Sequence, residues 1–143
     1  MSPLTFAQLD GKGLICIPPY DPPNLFMLEA FLFEENAYDI LYEYELRAIK
    51  DQVEVKIRTY EGTFTSNSGY ILWDTEGFSD SNISDNNVTA RYQLNRRTLN
   101  LEKGPVNFQC EIFEDKEKFE IGISAMKEKA QVQYDESLKN NKI

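Results

Sequence analysis

From Leu14 to Ser124 apolar and polar residues alternate in short runs, and a period of two puts successive side chains on opposite faces of an extended chain. An amphipathic helix returns its apolar stripe every three or four residues, so this spacing selects strands. The pattern is sharpest in Gln52-Val53-Glu54-Val55-Lys56-Ile57-Arg58-Thr59-Tyr60. Val88, Ala90, Tyr92 and Leu94 repeat it against Thr89, Arg91 and Gln93, and Val106, Phe108, Cys110 and Ile112 against Asn107, Gln109 and Glu111. The breaks fall where turn residues cluster, at Ser66-Asn67-Ser68-Gly69, Asn95-Arg96-Arg97-Thr98 and Lys103-Gly104-Pro105.

Gly13-Leu14-Ile15-Cys16-Ile17 reads as a first strand, ended by Pro18-Pro19-Tyr20-Asp21-Pro22-Pro23. Four prolines remove four ladder donors, so that segment is a stiff connection, and its PxxP lettering is read as an internal linker. Residues 25–34 and 38–49 are expected to be two strands joined near Glu35-Asn36, with a helix as the alternative. In the second, Ile40, Tyr42, Tyr44, Leu46 and Ala48 hold one face against Asp39, Glu43, Glu45 and Arg47. Phe119, Ile121 and Ile123 read as a last strand. Met126, Ala130, Tyr134 and Leu138 then stand four apart, predicting a helix over about 125–139 with Ser124 as its N-cap. The expected fold is mainly β: residues 1–143 as a single domain, an antiparallel meander closed as a barrel or sandwich, with a short C-terminal helix.

The chain has no histidine, so acid–base chemistry near neutrality would need a perturbed carboxylate, lysine, tyrosine or thiol. Twenty-four acidic against fifteen basic residues leave a net charge of −9, which repels phosphate backbones and anionic lipid headgroups. Direct nucleic-acid and membrane binding are not expected. Cys16 and Cys110 are far apart and form no Cys-x-x-Cys spacing, so two reduced, buried thiols in a cytoplasmic protein are expected, without a disulfide framework or zinc. The opening Met1-Ser2-Pro3-Leu4-Thr5-Phe6 lacks a basic then apolar leader, and no apolar run is long enough to span a bilayer. Export is therefore not expected, and the sequons at Asn82 and Asn87 carry no weight.

Side-chain constellations give little chemistry. Glu43 and Glu45 share a strand face but alternate with Tyr42 and Tyr44, and are expected to face water. Asp74, Glu76, Asp80 and Asp85 crowd one polar loop without the spacing of an EF-hand, so no metal is expected. Arg91, Arg96, Arg97 and Lys103 form a basic cluster with no glycine-rich phosphate cradle. Tyrosines 38, 42, 44, 60, 70 and 92 can either fill a core or line a cavity. Trp73 and Phe78, at the edge of and within the 74–87 loop, are candidate interface anchors, with a core tryptophan at a strand end as the alternative for Trp73. No serine nucleophile, nucleotide or cofactor fingerprint is present.

These observations favour a non-enzymatic module that binds another protein through Trp73, Phe78, Arg96 and Arg97, as an assembly subunit, accessory factor or inhibitor. No catalytic residue and no cofactor are assigned. Two alternatives are a β-barrel that holds a small apolar or aromatic ligand, as a carrier or ligand-dependent enzyme, and an acidic mimic of nucleic acid that captures a basic protein.

Overall fold

The computed structural model describes residues 9–34, 40–61, 63–66, 69–75 and 90–140. Within them the chain is mainly β. The strands are β1 (Gly13–Ile17), β2 (Glu29–Phe33), β3 (Ile40–Ile49), β4 (Gln52–Glu61), β5 (Thr63–Ser66), β6 (Tyr70–Thr75), β7 (Ala90–Asn95), β8 (Asn100–Lys103) and β9 (Val106–Phe113). A single helix, α1 (Lys116–Asn140), follows them, and one 3₁₀ turn at Leu25–Met27 leads into β2. The strands form one antiparallel sheet in the order β4-β3-β2-β1-β9-β8-β7-β6-β5. The first strand thus pairs with the last in the middle of the sheet, and the two edge strands, β4 and β5, have residue 62 alone between them.

The sheet is strongly curled into an open half-barrel. Four strands separate β2 from β6 along it, yet Trp73 of β6 meets Phe31 and Phe33 of β2 edge-on, with ring centroids 5.4 and 5.7 Å apart. Side chains from the concave face, among them Leu14, Leu41, Ile71, Leu94, Leu101 and Phe108, make one core. A second core lies on the convex face of β1 to β4, where Ile15, Ala30, Leu32, Tyr44, Leu46 and Val53 pack beneath Phe119, Ile123 and Ala130 of α1. Both faces of those four strands are therefore apolar over part of their length, and each strand carries two stripes rather than one.

The helix begins at Lys116 rather than near residue 125, which corrects the expected strand over Phe119, Ile121 and Ile123. Asp115 is its cap: its Oδ1 accepts from the Lys118 amide at 2.8 Å, and its carbonyl from the Phe119 amide at 3.0 Å. Phe119, Ile123, Met126, Ala130 and Tyr134 recur three or four residues apart on the packed side, whereas Ile121 is 64% exposed. Close approach of α1 to the sheet depends on Gly13, whose hydrogen faces the Phe119 ring.

The far end of α1 is tied to the β3–β4 hairpin by side-chain amides. Gln131 Oε1 accepts from the Val53 amide at 2.7 Å, and its Nε2 donates to the Asp51 carbonyl at 3.0 Å. Tyr134 donates to Asp51 Oδ1 at 2.7 Å. The hairpin turn itself is Lys50-Asp51, with φ of 51° and 64°, the left-handed geometry that a two-residue connection requires to match strand twist.

Cys16 and Cys110 lie opposite one another in the β1–β9 ladder, Cα atoms 3.9 Å apart, and are joined as a disulfide. This corrects the expectation of two reduced thiols. Sequence distance hid the contact, because the two cysteines are 94 residues apart in a chain of 143. No helix among the described residues is long and apolar enough to cross a membrane.

Candidate functional site

Strand parity fixes which side chains enter the concave face. In β2 the residues in phase with Phe31 include Glu29, and in β3 those in phase with Leu41 include Glu43 and Glu45. Register then brings in their neighbours: Leu41 faces Tyr60 and Glu43 faces Arg58 across the β3–β4 ladder, and Tyr92 faces Lys103 across β7–β8. Cys16 stands opposite Glu29 in β1–β2, so the disulfide lies beside this group.

Curling of the sheet draws these residues into one polar cluster. Lys103 Nζ donates to Glu29 Oε1 at 2.5 Å, reaching from β8 across β9 and β1 to β2. The Tyr92 hydroxyl lies 3.5 Å from Glu29 Oε2 and 3.4 Å from Glu43 Oε2, a phenol shared between two carboxylates. The Tyr60 hydroxyl lies 3.4 Å from Glu43 Oε1. Lys103 Nζ sits 5.6 Å from the Tyr92 ring centroid, and the Trp73 ring stacks on Tyr92 with centroids 5.6 Å apart and planes 21° from parallel.

The cluster runs from a buried floor to an open rim. The Glu29 side chain is 12% exposed and that of Lys103 41%. Glu45 at the rim pairs with Arg47 at 3.2 Å and Arg58 at 3.7 Å, all three side chains solvent-accessible. Burial, reinforced by the charge of Glu29, pushes the Glu43 carboxyl up to about 7, while Lys103 and Arg58 pull the other way. Burial also raises Glu29, against its hydrogen bond to Lys103. Tyr92 and Tyr60 are raised by burial and then by the adjacent carboxylates, so both remain neutral phenols able to donate. Glu43 is thus a group that exchanges its proton near neutrality in a chain without histidine.

The sequence reading placed several of these residues wrongly. Glu43 is expected in water but is largely buried on the concave face, whereas Tyr42 and Tyr44 face the helix side, Tyr44 within the second core; there Tyr42 donates to Glu34 and Tyr44 to Glu120 at 3.5 Å. Lys103 leaves the expected basic cluster to pair with Glu29, and Glu29 itself was not singled out. Its signal was its place in phase with Phe31 and Phe33 in a short apolar strand.

Of the two expectations for Trp73, exposed anchor or core residue at a strand end, the structure has the second: it is 1% exposed within the concave core. Arg96 and Arg97 lie on the β7–β8 turn, where Asn95 Oδ1 accepts from the Arg97 and Thr98 amides at 2.9 and 3.0 Å; Arg97 is exposed and Arg96 half-buried. Phe78, with Glu76, Asp80 and Asp85, lies outside the described residues. Among the described residues no group of three or more His, Cys, Asp or Glu is arranged to hold a metal ion.

A separate groove of about 590 Å³ opens on the convex face beside the start of α1, lined by Leu32, Glu34, Tyr42, Tyr44, Ile57 and Lys116 among others. Compared with protein-family models, curated protein sequences and solved structures, the chain matches none.

Proposed function

We propose that this protein binds a small ligand at the open end of its curled sheet, with the Glu29–Tyr92–Glu43–Tyr60 cluster and Lys103 as the recognition groups. The observation that carries the reading is the shared Tyr92 phenol, 3.5 and 3.4 Å from two carboxylates on the concave face. Small barrels fill such interiors with apolar side chains, and burying carboxylates is unfavourable unless they are matched by donors. A recognition site supplies a reason to keep them there.

The container we propose is a barrel, closed where β4 runs into β5. What supports closure is that the two strands at opposite edges of the sheet, β4 and β5, follow one another in sequence. The cytoplasmic expectation draws on unpaired thiols and on an opening segment without a leader pattern; the Cys16–Cys110 bond removes the first ground and favours a compartment in which disulfides persist.

The test is retention of a compound. Native mass spectrometry of protein purified from its source is expected to show an added small-molecule mass that is lost on denaturation. Protein that carries no compound, and whose melting temperature no member of a small amphipath library raises, would remove the reading.

A second reading, the protein-binding module, draws on the convex groove, where Ile57 is 55% exposed beside Glu34, Asp115 and Glu117. Replacing Ile57 by Lys should then abolish capture of a partner while leaving ligand retention unchanged; capture that survives the substitution counts against it.

A further inference from the structure

Among the described residues β4 is one edge of the sheet and pairs with β3 alone. Ile49 and Gln52 flank the two-residue Lys50-Asp51 turn and exchange backbone bonds, so β4 meets β3 in the same way at Glu54, Lys56, Arg58 and Tyr60. The amides and carbonyls of Val53, Val55, Ile57 and Thr59 therefore point away from β3. Gln131 Oε1 takes the Val53 amide at 2.7 Å. Val55, Ile57 and Thr59 have no hydrogen-bond partner on that side among the described residues.

Side chains along this edge fall into two stripes. Val53 and Val55 pack in the convex-face core, and Ile57, in phase with them, is 55% exposed beside the groove. Glu54, Lys56 and Arg58 form the other stripe, and Glu54 and Lys56 make no ion pair among the described residues. Charges on an edge strand discourage indiscriminate pairing, and here they also decide which strand fits.

We propose that the strand is β4 of a second copy of this chain, antiparallel about a twofold axis through Lys56. In that register Val55 faces the partner's Ile57 and Glu54 faces the partner's Arg58, and symmetry makes each pair twice. Two attractive ion pairs then flank the one Lys56–Lys56 contact on the axis. The two pairs of Val55 with Ile57 supply about four backbone hydrogen bonds. Those groups exchange water for protein, so they fix geometry, while burial of Ile57 from both copies supplies the apolar gain. The neighbouring registers fit less well. An axis through Val55 sets the partner's Ile57 against Val53, whose amide Gln131 already holds. An axis through Ile57 sets Lys56 against the partner's Arg58 twice, and like charges directly opposed are destabilising. Gln131 ends the ladder on each side, so the contact is short and the dimer weak. The pairing stands apart from the ligand-binding reading, and the closure proposed there lies beyond Glu61.

Sedimentation velocity of the intact, disulfide-bonded protein from about 5 µM to about 1 mM is expected to show a monomer passing to a dimer. I57E should weaken the dimer at least about tenfold with an unchanged circular dichroism spectrum, because this side chain is mostly exposed in the single copy. K56C brings two thiols together at a non-hydrogen-bonded pair, with Cα atoms about 4.5 Å apart, and should link the copies under oxidising conditions. T59C, equally exposed but off the axis, should not. A monomer at every concentration overturns the proposal, as does a dimer that withstands I57E. Linkage through T59C rather than K56C overturns the register. Species that grow beyond the dimer overturn the twofold axis, since a head-to-tail contact from β4 to the partner's β5 does not close.

Discussion

Gly13 of β1 lies directly beneath Phe119 of α1: a Cβ on Gly13 would stand 2.2 Å from Phe119 Cδ1 and 2.5 Å from Cγ. No side chain fits in that gap without moving the ring or the helix. Replacing Gly13 by Ala should lower stability by about 1–3 kcal/mol, as overpacking of well-filled cores does. Urea unfolding monitored by circular dichroism checks this, and an unchanged midpoint would mean that α1 is not seated on β1.

The raised carboxyl of Glu43 makes stability depend on pH. Its folded value of about 7 exceeds the ordinary 4.5, so the folded state holds the proton more tightly than the unfolded chain. The contribution is whole below about pH 4.5 and is lost as pH rises through about 7; Glu29, raised in the same direction, acts alike. Wild-type protein should therefore lose roughly 2–3 kcal/mol between about pH 5 and pH 8 through Glu43. E43Q should flatten that slope and be the more stable form at about pH 8; a wild-type slope in E43Q would show that another group titrates.

Loss of the Cys16–Cys110 bond should reduce stability by about 2–5 kcal/mol, because it closes a loop across a sequence separation of 94. Denaturant midpoints with and without reductant, and for C16A/C110A, measure it. Identical midpoints would mean that the thiols are not joined in solution.

Gln131 holds the Val53 amide and the Asp51 carbonyl with one side chain. Truncation to Ala leaves a strand amide without its acceptor, and about 1–3 kcal/mol of destabilisation is expected. Hydrogen exchange localises the effect: the Val53 amide should exchange faster while amides in β1 and β9 keep their protection.

Most strands were legible because one apolar stripe per strand is enough to declare the period of two. What parity alone does not declare is which stripe faces which layer. In β3 the Tyr42-Tyr44-Leu46 stripe is the more hydrophobic and belongs to the helix side, whereas the stripe that carries Glu43 into the concave face has apolar residues only at its two ends, Leu41 and Ile49. A strand with a helix on one side and a curled interior on the other looks amphipathic in the wrong sense. The start of α1 was obscured for a related reason: Phe119, Ile121 and Ile123 alternate over five positions, and only the cap at Asp115 and the return at Met126 and Ala130 distinguish a helix. The cluster itself joins β2, β3, β4, β7 and β8, and the disulfide joins β1 to β9; none of these contacts has a local signature.

The position of β1 beside β9 has a consequence during synthesis. Strands β1 to β4 and β5 to β9 form two separate ribbons until the chain has emerged at least as far as Phe113, and the seam between them is the pairing that brings Cys16 to Cys110. A nascent chain on the ribosome thus carries two unjoined blades until β9 has emerged, and the joining of the sheet waits on that strand.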